Sequence, residues 1–373
     1  MGRRPASPNR RYAGAGTIRT EGGYWNNQPT RKAAATQYRV WGAQKRASVE
    51  KSFNVMAYPS TTHEHQSSKK LERVLASVPV PALPQSAIQL LELSTDPAHG
   101  PPEYARVIEA DPGLASQVLK YVNSSYFGLT KQVANIRQAI TLLGCRTVLN
   151  FVLWSAVYQS FPRPGTERFS MVAFWKDSVR RALAARWLAQ QLCRSESDDV
   201  FIAALFEDLA VPLLAKYWIE EYRDALFPAP DGSYLRLSQR ERRLWNWTHA
   251  EAGRLLVDRW QLPGRLGQWI ERHVDSEALV AGELDEPAAC VAMAALLPSV
   301  RDVQWPEYAL WASAWQRWLG ATDSMQQLFA EVDEQCDRLN QLLGVFAPGS
   351  RLTSMAAAVV SDEPLSGACT TAQ

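Results

Sequence analysis

The sequence predicts an all-α protein with two helical lobes and a helical extension at its C-terminal end. Three observations carry this prediction. Apolar residues recur three and four positions apart through most of residues 67–346, which is the spacing of one face of an α-helix. Capping residues and prolines interrupt that pattern at intervals typical of short helices. Alternating apolar and polar residues, which would indicate half-buried strands, do not recur over the same range.

Composition divides the chain into four segments. Residues 1–66 mix Arg, Gly, Ser, Thr, Pro and Asn with little apolar periodicity, and residues 347–373 are rich in Ser, Thr, Pro and Ala. Both segments are therefore predicted to be disordered. The predicted folded part comprises a domain over residues 67–300, with lobes at about 67–165 and 166–300, and a helical extension over residues 301–346.

The N-terminal segment carries most of the positive charge of the chain. Residues 1–62 contain eleven Lys and Arg against two Glu, a net charge of +9, which leaves −7 for the remainder. An acidic body is a poor general binder of nucleic acid, because nonspecific affinity comes mainly from neutralising phosphates. Nucleic-acid binding is therefore expected only through residues 1–62. Three interpretations of this arm stay open: a solvated tail, a basic tether for nucleic acid or an anionic membrane, or a stretch ahead of a true start at Met56.

Cysteine usage and hydropathy favour a cytoplasmic protein without a transmembrane segment. The five cysteines are scattered, with no C-x-x-C pair that would indicate a zinc site or a redox motif. Free cysteines are typical of a reducing compartment. No apolar run reaches the roughly 18 residues that span a bilayer, and the basic N-terminus lacks the apolar stretch of a secretory signal.

Prolines and caps divide the first lobe into five or six short helices. Apolar residues at helical spacing predict a helix near Leu71–Val78, which the proline-rich bend Pro79–Pro84 ends. Further helices are predicted at Ser86–Ser94 and Pro101–Ala110. Asp111-Pro112 then starts a helix, with Asp as its N-cap and Pro at its first position.

Residues 136–153 are predicted to form the seam between the lobes. Asn135 can cap a short helix over Ile136–Leu143, and Gly144 lies where a glycine ends such a helix. The following run, Cys145–Tyr158, has too few polar residues for a helix with one face in water. It must therefore be covered on most of its sides.

The second lobe is predicted to supply that cover. A long helix over Phe169–Leu192 has one broad apolar face, and a continuous helix over Val200–Leu214 is apolar nearly all round. Thr248-His-Ala-Glu251 is a capping box, with a hydroxyl and a carboxylate residue three positions apart, and opens a helix that runs to Trp260. Another helix is predicted at Leu266–His273, and three further helical segments follow.

Two phrases of the first lobe, one from Asp111 to Gly128 and the other from Ile136 to Gly144, together resemble the HDOD family, a helical domain related to HD-type metal phosphohydrolases. The agreement between this sequence and the HDOD pattern continues to about Pro298 and so covers roughly 230 of the 373 residues. This resemblance implies a two-lobed helical domain whose second lobe is a degenerate HD-type bundle. The residues that match the family phrases are Asp111, Pro112, Leu114, Asn123, Ser124, Tyr126, Phe127, Gly128, Ile136, Ala139, Ile140, Leu143 and Gly144.

The resemblance also implies where a metal centre would lie. HD-type enzymes use a His on one helix, a His-Asp pair on the next and further His and Asp residues to hold a divalent metal, which lowers the pKa of a bound water. Here the first position holds Asp177, and the pair reads Glu207-Asp208. His249 lies in an H-x-E-x-G phrase, and Arg272-His273 stands where a His pair is common. The two leading histidines are thus replaced by carboxylates.

Two interpretations of these positions stay open. Asp177, Glu207, Asp208 and His249 can form an altered, oxygen-rich site that suits Mg²⁺ or Mn²⁺. Alternatively the metal site is lost, and its residues now cap helices and carry surface charge. Loss of catalytic histidines is usual in the family that the chain resembles. We expect the second, with no catalytic residue and no resident metal or cofactor.

The resemblance then predicts a regulatory module of bacterial type in signal transduction. Such a module acts through contacts with a partner protein and is not an enzyme. One alternative is a metal-dependent HD-type phosphohydrolase that acts on a nucleotide or a cyclic dinucleotide. Another is a small-molecule sensor that uses the remnant HD pocket, since ligands of helical bundles often bind between helices.

Overall fold

The computed structural model describes residues 61–96, 98–124, 127–164, 169–226, 234–320, 323–343 and 349–361. All regular elements within these ranges are helices, which confirms the predicted all-α class. The predicted arm lies outside the described residues as far as residue 60. Helix α1 (Thr61–Ser77) then begins six residues ahead of the predicted domain boundary at residue 67.

Five short helices form the N-terminal lobe, close to the positions that caps and prolines predicted. Asp111 accepts a hydrogen bond from the N–H of Leu114 at 3.0 Å, and Asn135 accepts one from that of Gln138 at 2.8 Å, so both predicted N-caps are confirmed. Gly144 separates the last two helices with φ of 86°, a value that favours glycine. The helices are α2 (Gln85–Ser94), α3 (Pro101–Glu109), α4 (Pro112–Val122), α5 (Ile136–Leu143) and α6 (Cys145–Ser160).

The side-chain amide of Asn123 closes the loop between α4 and α5. Its Nδ2 donates to the carbonyl of Val133 at 2.7 Å, and its Oδ1 accepts from the N–H of Val133 at 2.7 Å. The two bonds satisfy both backbone groups of a buried residue that no helix contains. Asn123 therefore closes this loop through its side chain.

The C-terminal lobe carries the positions that resemble a metal centre. Within the described residues its helices are α7 (Met171–Leu192), α8 (Ser197–Phe206), α9 (Ala210–Tyr217), α10 (Ile219–Leu226), α11 (Leu237–Trp245), α12 (His249–Arg259), α13 (Gly264–Arg272), α14 (Ser276–Ala281) and α15 (Glu286–Ala295). Helix α7 packs along α8, and α15 packs across both. Helix α13 packs against α8 and α12, so the end of α8 lies close to two other helices.

The predicted continuous helix over Val200–Leu214 is wrong, because the chain turns at Glu207-Asp208-Leu209 between α8 and α9. Pro212 explains the break. In a continuous helix its ring would clash with the carbonyl of Asp208, four residues earlier, and it has no N–H to donate there. That carbonyl instead accepts from the N–H of Val211 at 2.9 Å.

Helix α6 lies between the two lobes, as its apolar composition predicted. Residues 148–157 are all buried. On one side α6 packs against α2, α4 and α5, and on the other it packs against α8. The amide Nδ2 of Asn150 donates to the carbonyl of Asp198 at 2.8 Å, and this hydrogen bond joins α6 to the C-terminal lobe.

Helix α1 is tied to the C-terminal lobe, although the sequence placed it in the first lobe. The guanidinium of Arg259 donates to the carbonyl of Leu75 at 2.9 Å, and the indole N–H of Trp260 donates to that of Pro81 at 2.9 Å. The end of α12 therefore holds both α1 and the proline-rich bend.

The predicted extension contains α16 (Tyr308–Trp318) and α17 (Asp323–Leu343). The predicted disorder of residues 347–373 is wrong for one part, since α18 (Leu352–Ser361) is a helix. Leu352 and Met355 are buried, and buried Asp333 of α17 accepts from the N–H of Leu352 at 2.9 Å and that of Thr353 at 3.1 Å. Burial of apolar side chains and a cap from α17 thus stabilise α18, a helix that the local composition did not predict.

Across the described ranges, no single helix combines the length and the apolar composition that crossing a bilayer requires; α5 and α6 do so only as a pair, bent by 111°.

Candidate functional site

Three side chains from three helix ends converge beside the α8–α9 turn. Asp208 lies in the turn, His249 at the start of α12 and His273 just after α13. Oδ1 of Asp208 is 3.1 Å from Nε2 of His249 and 3.5 Å from Nε2 of His273. The two Nε2 atoms are 3.2 Å apart. The structure therefore brings together three of the five positions that the sequence singled out.

Glu241 of α11 orients His249 by contacting both its backbone N–H and its ring Nδ1. Its Oε2 accepts from the backbone N–H of His249 at 2.9 Å and lies 2.6 Å from the ring Nδ1. Its Oε1 accepts from the hydroxyl of Tyr222. The Nδ1 of His273 lies 2.6 Å from the carbonyl oxygen of Ile270. Both histidines thus have an acceptor at Nδ1, which directs their Nε2 atoms towards Asp208.

Arg181 of α7 binds both carboxylates of the turn. Its Nη1 donates to Oδ2 of Asp208 and to Oε1 of Glu207, the latter at 3.3 Å. The Glu207 side chain is 1% exposed, whereas Arg181 and Asp208 are 17% and 21% exposed. A guanidinium therefore lies where two of the predicted carboxylate ligands meet.

Asp177 has different hydrogen-bond partners. Its Oδ2 accepts from the hydroxyl of Ser299 at 2.6 Å, and its Oδ1 accepts from the N–H of Val300 at 2.7 Å. These bonds hold the segment after α15 against α7. The predicted four-residue set of Asp177, Glu207, Asp208 and His249 is thus divided: Asp177 binds the 299–300 segment, and Glu207 binds Arg181.

Burial and neighbouring charges give the carboxylates opposite protonation behaviour. Burial raises the pKa of Glu207 well above its usual value, and the nearby Arg181 opposes this only in part. Burial acts on Asp208 in the same direction, but Arg181, together with the hydrogen bond and charge of His249, holds the pKa of Asp208 well below its usual value. The pKa values of these two neighbouring carboxyl groups are therefore shifted in opposite directions.

The pKa values of the two histidines are also shifted in opposite directions. Burial disfavours a charged imidazole, yet the Glu241 carboxylate and the hydrogen bonds with Asp208 and Glu241 raise the pKa of His249 to about 10. Burial, together with the charge of His249, lowers the pKa of His273. Arg181 and His249 both lie against Asp208, and Glu241 lies on the Nδ1 side of the His249 ring.

Three side chains of this site present donor atoms at spacings that suit a divalent metal. Ligand atoms spaced 3.1 to 3.5 Å apart fit around one ion with bonds of about 2.1 Å, and each histidine has the Nδ1 acceptor typical of metal ligands. Asp208, His249 and His273 therefore fit one ion in spacing. The four-residue set predicted from sequence does not fit, since Asp177 and Glu207 have other partners.

Sequence analysis missed Arg181 and Glu241. Arg181 lies four residues after Asp177 on α7, and so on the same helical face, which was an available signal. Glu241 precedes His249 by eight residues on a separate helix. No helical spacing joins that pair, so only the fold places them together.

The family comparison agrees with this geometry. Residues 80–276 match the model of the HDOD domain. This chain belongs to the HDOD family. The predicted resemblance is thereby confirmed, and with it the helical HDOD fold. No curated protein matches the chain significantly.

Solved structures with this fold come from several bacteria. An HDOD domain protein of unknown function from Geobacter sulfurreducens has a TM-score of 0.59 and 20% identity, over 74% of this chain and 98% of that one. A protein provisionally named a phosphohydrolase, from Shewanella amazonensis, has a TM-score of 0.51 and 19% identity, over 78% and 93%. A protein provisionally named a signal transduction protein, from Marinobacter aquaeolei, has a TM-score of 0.54 and 16% identity, over 85% and 66%.

Proposed function

We propose that this chain is a regulatory HDOD module that acts through contacts with a partner protein and catalyses no reaction. The observation that carries the proposal is the guanidinium of Arg181 on Asp208 and Glu207. In an HD-type enzyme the His-Asp pair binds a metal that activates water. Here the corresponding pair binds a fixed cation, which supplies no water and no open coordination position.

Two further features support a non-catalytic role. The position of the first metal-ligating histidine holds Asp177, whose carboxylate binds the 299–300 segment. The ring of His249 is held between the carboxylates of Asp208 and Glu241. An arrangement of this kind stabilises the domain that a partner would recognise. The provisional name of the Marinobacter aquaeolei structure, a signal transduction protein, agrees with such a role, although shared fold is a weak guide to function.

A metal-dependent phosphohydrolase is the second candidate, and a specific observation favours it. Asp208, His249 and His273 present three ligand atoms at spacings that suit one divalent ion. A metal held there would supply an activated water for attack on a phosphate ester. The Shewanella amazonensis structure carries the name of that activity. The third candidate, a sensor that binds a small molecule in the remnant pocket, has less support, because His249, His273 and Glu207 are buried.

Elemental analysis of the purified full chain tests the proposal. We expect less than a stoichiometric amount of any transition metal, and no hydrolysis of cyclic dinucleotides with added Mg²⁺ or Mn²⁺. One tightly held ion per chain, lost in Asp208→Ala but retained in the matched variant Asp258→Ala on the exposed side of α12, would overturn the proposal and favour the phosphohydrolase.

A further inference from the structure

Arg181 lies among all the carboxylates that the sequence singled out as candidate ligands. Its Nη1 contacts Asp208 and Glu207 directly, and the charge of Asp177 acts on it as well. The three carboxylates come from two elements, α7 and the α8–α9 turn. Carboxylate oxygens are the ligands that Mg²⁺ and Mn²⁺ prefer. The guanidinium thus contacts the two carboxylates of the α8–α9 turn, and the charge of Asp177 acts on it without a direct contact.

An uncompensated group of carboxylates of this kind is unfavourable when buried, because like charges repel and charge is costly to bury. A cation is therefore a structural requirement of the cluster. Arg181 meets it with a group that stays charged at all ordinary pH values and has planar donors matched to carboxylates. The fit is incomplete, since Oε2 of Glu207 and Nε of Arg181 are buried without a hydrogen-bond partner.

We infer that Arg181 is the resident cation of this site, in the place of a metal ion, and that its removal turns Glu207 and Asp208 into ligands for a divalent ion. The inference rests on the proposed function and deepens it, because it names the group that makes a metal unnecessary. One substitution on α7 then separates a metal-free HDOD site from a metal-binding one.

The experiment compares Mn²⁺ binding by full-length variants, measured by calorimetry and by the electron paramagnetic resonance of the ion. Arg181→Met removes the charge and keeps most of the side-chain length. Arg181→Lys keeps the charge. Arg186→Met is the matched control on the same helix, since Arg186 lies over the ring of Phe201, at 5.1 Å from its centre, rather than on the carboxylates.

We expect stoichiometric Mn²⁺ binding by Arg181→Met, and none by the wild type, Arg181→Lys or Arg186→Met. Adding Asp208→Asn to Arg181→Met should abolish the binding. A folded Arg181→Met chain that takes up no Mn²⁺ would overturn the inference and leave the proposed function standing. Binding by the wild type would instead count against the proposed function, so the two failures are distinguishable.

Arg181→Met can also fail to fold without a cation, since it leaves buried carboxylates uncompensated. In that case refolding is measured by circular dichroism with and without Mn²⁺. Rescue by Mn²⁺ in Arg181→Met, but not in Arg181→Met with Asp208→Asn, supports the inference. The absence of any rescue overturns it.

Discussion

The ring Nδ1 of His249 lies 2.6 Å from Oε2 of Glu241, in a contact buried on all sides between α11 and α12. The same carboxylate oxygen accepts from the backbone N–H of His249 at 2.9 Å. One buried carboxylate thus fixes both the ring and the start of a helix.

The His249–Glu241 pair predicts a pH-dependent stability. The folded pKa of His249, about 10, is above its ordinary value of 6.5. The group therefore stabilises the fold fully below about pH 6.5, and this contribution is lost as the pH rises through about 10. Glu241→Gln should lower the free energy of unfolding by about 3–5 kcal/mol at neutral pH, as breaking a buried pair does. Urea unfolding at several pH values measures this.

The difference between wild type and Glu241→Gln should shrink as the pH rises through the folded pKa of His249. Glu271→Gln is the control, because Glu271 pairs with Arg254 at a half-exposed site. A difference that stays constant over this pH range would show that Glu241 acts without the charge of His249.

Neighbouring Glu207 and Asp208 should respond unequally to replacement by the neutral amide. Asp208→Asn removes the anion that Arg181 and His249 share, and should cost about 3–5 kcal/mol. Glu207→Gln replaces a carboxyl whose charge burial already disfavours, so at neutral pH it should destabilise the fold much less than Asp208→Asn does. Thermal or denaturant unfolding of the two variants compares them directly.

The raised pKa of Glu207 also predicts how its contribution to stability changes with pH. Its folded pKa lies above its unfolded value, so its contribution is present at low pH and declines as the pH rises above about 4.5. Glu207→Gln should therefore gain in stability relative to wild type as the pH increases. A relative loss would show that Glu207 is charged in the fold.

The buried helix α6 predicts that the two lobes unfold together. Leu149 and Leu153 are both buried in the seam, and changing either to Ala should cost about 2–5 kcal/mol. Hydrogen exchange should then rise across both 67–165 and 171–275. Leu142→Ala is the control, since Leu142 is 53% exposed and its loss should have little effect. Exchange that rises in the first lobe alone would mean that the lobes are independent.

The Asp333 cap predicts selective loosening of α18. Asp333→Ala removes the acceptor for the N–H groups of Leu352 and Thr353, and caps of this kind contribute about 1 kcal/mol. Faster hydrogen exchange is expected over Leu352–Ser361, with the helices of the N-terminal lobe unchanged. Asp337→Ala removes a carboxylate from the same helix at an exposed ion pair, and should leave α18 protected.

Local physical chemistry was enough to predict most of the helices. The caps of Asp111 and Asn135, the glycine at position 144 and the capping box of Thr248 and Glu251 all act within three or four residues, so the sequence shows them directly. The seam was also predictable, because a helix with almost no polar positions must be covered. The break at Pro212 was equally visible, and the prediction of a continuous helix overlooked it.

The sequence by itself determined the all-α class, the family and the five positions that resemble a metal centre. Only the tertiary structure decided which of those positions meet. Asp177 accepts a hydrogen bond from the 299–300 segment, whereas Arg181, one helical turn later, donates to the carboxylates of Glu207 and Asp208. Residues that far apart in the chain come together through the packing of whole helices, and no local spacing encodes that packing. The fold therefore determines which cationic residue pairs with a buried carboxylate. Electrostatic attraction depends on distance in space and not on distance along the chain.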